Sequence, residues 1–156
     1  MAERSDAEAG KDVVDKTLGA HRECMRLVSA VEECLDRKPD RDGRWLADLQ
    51  EKLPLLAQTL REHFEEEQQE YMYRELPVEA PRFASRLRKL EAEHGQILET
   101  IQGIIEGSES LQQVEIPEAR EFNARVQLLV ATIRRHEAEE NEILVNKYWN
   151  DVGVGD

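Results

Sequence analysis

The chain has 156 residues, of which 35% are charged and only 5% aromatic, and its formal net charge is −13. That length gives one domain with a true core, and that composition suits long amphipathic helices rather than a sheet. So acidic a surface repels phosphate backbones and anionic lipid, which argues against nucleic acid and membranes as partners.

No apolar run approaches a membrane span, and Met1 to Lys11 is polar with no signal-peptide core. The expected compartment is therefore the cytoplasm. Residues 1–11 are expected to form a disordered lead, 12–150 the domain and 151–156 a short tail.

The first helix is predicted from Asp12 to Asp36, with a seam of Val14, Leu18, His21, Met25, Val28 and Leu35. Cys24 and Cys34 both fall in it. Ten residues at the helical rise is about 15 Å, too far for a mutual disulfide, so both are expected to be buried free thiols. Cys24 could supply a thiolate beside His21, but it lies off the main seam. Lys38 to Gly43 reads as a turn.

The second helix is predicted from Arg44 to Tyr73, with a seam of Leu49, Leu53, Leu56, Leu60, His63, Glu67 and Tyr71. Pro54 should kink it or mark its true start. After a connection at Leu76 to Ala80, the third helix opens at Pro81. Its seam is Phe83, Leu87, Leu90, His94, Ile97, Ile101 and Ile104, and Gly107-Ser108 is the expected stop. The fourth opens at Pro117 and runs to about Trp149, through Phe122, Val126, Leu129, Ile133, His136, Glu140 and Ile143. Four such helices with short connections predict an all-α fold, an up-down-up-down antiparallel four-helix bundle.

The seams are apolar except at six positions. His63 and Glu67 stand four apart, so they stack on one helical face, and His136 and Glu140 repeat the pair. Adding 73 to 21, 63 and 67 gives 94, 136 and 140. All four histidines of the chain thus lie on seams and obey one internal repeat. Burying unpaired imidazoles and carboxylates costs several kcal/mol for each charged group. Metal binding removes that cost by satisfying their lone pairs. The bland alternative is a buried His–Glu hydrogen-bond cluster in an apolar bundle.

Six nitrogen and oxygen donors without a thiolate do not fit the usual structural zinc site. They suit two iron ions, with manganese second and zinc less favoured. Two ferrous ions outweigh two glutamates in charge, which invites an oxo, hydroxo or other anionic ligand. Six protein ligands also leave coordination positions open for a small molecule.

This pattern of His21, His63-Phe64-Glu65-Glu66-Glu67, His94 and His136-Glu137-Ala138-Glu139-Glu140 resembles the hemerythrin family, in its broad HHE cation-binding group. The resemblance spans about residues 12–150. It implies a non-heme di-iron site bridged by two carboxylates and an oxo or hydroxo group. The oxygen-carrying hemerythrins use a fifth histidine one turn from the third-helix histidine, and here those places hold Leu90 and Leu98. The reading moves from an oxygen carrier toward a protein that binds, senses or scavenges dioxygen, nitric oxide or peroxide. A di-iron peroxidase, catalase-like enzyme or oxidase is the alternative, as is iron-centre repair or iron handling. The expected partner is a small molecule, with no prediction of oligomeric state. The expectation is a stand-alone domain.

Glu66 and Glu91 flank the histidines at helical spacing and are further ligand candidates, or else exposed acids. Tyr71, one turn beyond Glu67, is expected either to pack in the core with a hydroxyl partner or to approach the site as a hydrogen-bond donor or redox-active phenol. Tyr73, Tyr148 and Trp149 are expected at the bundle end. The repeat predicts equivalent halves, so His63→Ala and His136→Ala should impair loading comparably.

Overall fold

The apolar seams fold as four long helices joined by short segments, and nothing but helix and turn occurs among the described residues. The computed structural model describes residues 6–37, 43–111 and 116–153. The helices are α1 Asp6–Asp36, α2 Arg44–Gln69, α3 Tyr71–Arg74, α4 Leu76–Glu79, α5 Ala84–Glu109 and α6 Ile116–Gly153. A 3-10 turn at Pro81–Phe83 precedes α5. Both α1 and α5 pack against α2 and α6. No described helix is long and apolar enough to cross a membrane.

α1 begins at Asp6, inside the expected lead, and α6 continues to Gly153, into the expected tail. Residues 1–5 and 154–156, and most of the predicted turn at 38–43, lie outside the described residues. Its last residue, Gly43, has φ 72° and accepts the Ala47 amide at 2.9 Å. A residue without a Cβ takes that left-handed conformation without strain, so glycine opens α2. Pro54 neither starts nor ends α2, and the helix runs through it with the proline exposed.

The predicted second helix does not reach Tyr73. It stops at Glu70, whose backbone is extended (φ −105°, ψ −171°) and whose amide bonds back to Glu67 at 3.3 Å. The single turns α3 and α4 then fold beneath the bundle. α4 and the 3-10 turn each carry a proline at the start, where a missing N–H costs nothing. Gly107-Ser108 likewise fails to stop α5, which runs to Glu109. Ser108 is buried, its hydroxyl donates to the Ile105 carbonyl at 2.6 Å, and its carbonyl accepts from Gln50.

Two apolar clusters result. The larger gathers Val28, Leu49, Leu53, Leu56, Leu60, Ile101 and Ile133 among others. The smaller gathers Val14, Met72, Leu76, Leu87, Leu90 and Ile143. Along α1, α5 and α6, and from α2 into α3, the chain passes from one cluster to the other through polar residues: His21, His94, His136 with Glu140, and His63 with Glu67. A fully buried aliphatic side chain contributes about 1.5–3 kcal/mol. Two such clusters can therefore hold a costly polar layer between them.

Candidate metal centre

Each of the four long helices contributes one imidazole to this layer, and α2 and α6 add carboxylates. His21, His63, Glu67, His94, His136 and Glu140 are all buried. The structure brings all six together. Their atoms form two overlapping groups, with the ligand atoms of each within 4.8 Å of one another. One group holds His21, His63, Glu67, Glu137 and Glu140, the other Glu67, His94, His136 and Glu140.

Glu67 spans both groups. Its Oε1 lies 2.8 Å from His21 Nε2 and 2.6 Å from His63 Nε2, and its Oε2 lies 3.4 Å from His94 Nε2. Glu140 spans them from the other side, with Oε1 3.1 Å from His136 Nε2 and 3.7 Å from His21 Nε2. The imidazoles pair edge to face, His21 with His63 and His94 with His136, at centroid distances of 5.0 and 4.9 Å.

Many of these close approaches are not hydrogen bonds. The Nε2 atoms of His63, His94 and His136, Glu67 Oε2, Glu140 Oε1 and both Glu137 oxygens are buried without a hydrogen-bond partner. Buried polar atoms are rarely left so, because each costs its full desolvation penalty. Here their lone pairs converge on common points, as ligand atoms do around a cation. The donor chemistry and these orphaned atoms fit a metal.

The far side of the rings is held as a ligating imidazole requires. His21 Nδ1 donates to Asn141 Oδ1, and His136 Nδ1 donates to Glu93 Oε2 at 2.9 Å. His94 Nδ1 instead lies 3.2 Å from Gln68 Nε2, a donor. A half-turn of that amide lets its oxygen accept the Nδ1 proton, leaving Nε2 free. Gln68 and Asn141 are themselves 73 residues apart, each directly after a seam glutamate.

Without a metal these groups hold one another as ions. Burial alone would lower the His63 pKa, but Glu137 and Glu67 push it up to about 10. At His136 burial is likewise overcome by Glu140 and Glu93, which bring it to about 9. His21 and His94 are raised in the same way against burial, mainly by Glu67 and by Glu140 respectively. Despite its own burial, Glu67 is held well below the ordinary carboxylate range by His21, His63 and His94.

Of the two expectations for Tyr71, packing with a hydroxyl partner holds: it packs against the smaller cluster and its hydroxyl donates to Glu79 at 2.8 Å, away from the site. Tyr73, expected at the bundle end, donates instead to Glu140 Oε2 at 2.6 Å and meets the His94 ring edge to face. The cause is the break at Glu70, which ends the helical register that carried the seam from Glu67 to Tyr71. Glu66 and Glu91 are exposed and belong to neither group. Glu137 does belong, and sequence reasoning missed it. Trp149 is exposed, and the Tyr148 side chain lies outside the description.

Cys24 and Cys34 are buried free thiols. Cys24 joins neither group, and burial together with Glu137 pushes its thiol upward, away from the thiolate a metal needs. Leu90 is buried in the smaller cluster and Leu98 packs against the larger. A narrow cleft of about 30 Å³ between α1 and α2 reaches His63 and Glu67 from the surface, past Lys16, Ala20, Glu66 and Glu70. Lys16 and Glu70 pair across it at 3.0 Å.

Among known protein families, the hemerythrin HHE cation binding domain matches residues 12–148. The chain belongs to that family. Neither the curated proteins nor the solved structures compared with it give a match. The family description and the buried His/Glu layer agree that this hemerythrin-type domain is a cation-binding one.

Proposed function

We propose that this hemerythrin-type chain is a non-heme di-iron protein that binds, senses or scavenges dioxygen, nitric oxide or a peroxide. One ion would lie between His21 and His63, the other between His94 and His136, with Glu67 and Glu140 shared. The carrying observation is the set of buried, unbonded lone pairs converging on two overlapping donor groups. The all-nitrogen-and-oxygen donor set favours iron, then manganese, over zinc. We place the site inside an up-down-up-down antiparallel four-helix bundle. The short connections and the packing of α1 and α5 each against α2 and α6 support that arrangement.

An iron pair supplies one-electron redox chemistry and reversible binding of small ligands. The protein's part is to fix the donors. Asn141, Glu93 and Gln68 aim three of the imidazoles, and Tyr73 steadies Glu140. Leu90 and Leu98 offer no fifth imidazole, which favours a reactive or sensing site over oxygen carriage. The charge of −13 disfavours nucleic acid and anionic membranes, which supports a small-molecule partner.

Elemental analysis of protein loaded anaerobically with ferrous ion, with spectra before and after azide or peroxide, tests the reading. The expected result is two irons per chain and charge-transfer bands that respond to the added ligand. Protein that gains no iron sinks it.

A second reading, a di-iron peroxidase, catalase-like enzyme or oxidase, is favoured by Tyr73. Its phenol donates a hydrogen bond to Glu140 and meets His94 edge to face, at the site itself, where burial and Glu140 hold its proton on the oxygen. Stopped-flow turnover of hydrogen peroxide faster than free iron supports this reading, and a rate no greater rejects it. Iron handling or repair of iron centres would instead require release of the bound iron to an acceptor.

A further inference from the structure

The 73-residue repeat breaks at a position that matters to a metal. The counterpart of Phe64 is Glu137. Phe64 lies flat on His94, with centroids 4.0 Å apart and planes 5° from parallel. Glu137 sets Oε2 3.1 Å from His21 Nε2 and Oε1 3.4 Å from His63 Nε2. Related positions thus face related histidine pairs, one with an apolar ring and the other with a carboxylate. Glu137 is 2% exposed, and neither of its oxygens has a hydrogen-bond partner. An anion buried there needs a cation against it, which the imidazoles supply without a metal and a bound ion would supply in their place.

We infer that Glu137 is a fifth protein donor to the ion between His21 and His63, so that the two ions are unequal in affinity and in openness. The inference rests on the two-ion reading above. Five residues surround the His21/His63 position and four the His94/His136 position. With one oxo or hydroxo ligand shared, six-coordinate iron would be filled at the first position and would keep one open place at the second. The extra carboxylate makes the first position the tighter one, and it fills first. The narrow cleft beside His63 and Glu67 opens on this same position, with the Lys16–Glu70 pair across it. The exogenous ligand binds at the second ion, which has the fewer protein donors.

Anaerobic titration of the whole chain with ferrous ion, read by calorimetry and elemental analysis, tests this. The wild type should take up two ions in two resolved steps, the first at least about ten-fold tighter. Glu137→Gln keeps the shape, removes the charge, and should still bind two ions while losing that separation. Mössbauer spectra at one equivalent of iron-57 should give one environment in the wild type and a mixture in Glu137→Gln. Azide should bind once per chain, and only after the second ion is in place.

Two equal steps in the wild type, an unchanged profile in Glu137→Gln, or azide bound at one equivalent of iron overturns the inference. Each of these leaves the two-ion reading standing. A wild type that takes up no iron overturns both. Should Glu137→Gln fail to fold, the wild-type Mössbauer spectrum decides alone: one environment supports the inference and two overturn it.

Discussion

The His21/His63 and His94/His136 pairs sit at repeat-related places, yet they are furnished differently. Both share Glu67 and Glu140, and each pair has one imidazole held by an amide, from Asn141 or Gln68. The first pair alone has a carboxylate, Glu137, over it. The second has Phe64 in the related place and Tyr73 against His94. The second also has Glu93 behind His136, where the repeat puts Ala20 behind His63. The repeat keeps what both positions need to hold a cation and varies what sets their affinity and access. A two-fold pattern in ligands is therefore no guarantee of equal sites.

Glu67→Ala should have the largest effect, because it removes the residue common to both groups. Iron uptake should weaken at least about 100-fold at both positions, measured by elemental analysis after desalting. Retention of one tightly held ion would show that the positions are less interdependent than their geometry implies.

Next in size is the contrast between His63→Ala and His136→Ala, which the repeat relates. The repeat alone predicts equal damage. The observed asymmetry predicts that His136→Ala keeps one iron per chain while His63→Ala loses the tighter step, as read by titration.

Tyr73→Phe should act more mildly, through the lost hydrogen bond to Glu140. A weakening of the second ion by about ten-fold is expected, with the first less affected. Tyr71→Phe should change neither, since its hydroxyl lies on Glu79. The optical spectrum of each loaded variant checks this.

The smallest effect is in protons. Above the usual imidazole pKa and below about 9, His63 and His136 keep their protons in the metal-free protein, because their pKa values rise to about 10 and about 9. A metal displaces those protons. Loading near pH 7.5 should therefore release protons, seen by calorimetry in buffers of different ionisation enthalpy. Release should shrink as pH rises through 9 to 10, where the rings are already neutral.

Much of this arrangement was legible in the chain. The four histidines and two glutamates stand on apolar seams with one offset, and the structure gathers all six in one layer. Two things were hidden. The seam assigns one buried stripe to each helix, but α6 packs against both α1 and α5. Successive residues point about 100° apart, so His136 can face His94 while Glu137 faces His21. The mismatch between Phe64 and Glu137 within the repeat was the available signal. The approach of Tyr73 to Glu140 was less accessible, since it depends on the break at Glu70. Glu70 is neither proline nor glycine, and no local residue announces that break.

Anomalous X-ray scattering at the iron edge, from crystals of the anaerobically loaded protein, tests the central claim most directly. The account predicts two iron peaks, one between His21 and His63 beside Glu137, the other between His94 and His136. A single peak, or iron bound away from Glu67 and Glu140, would contradict it.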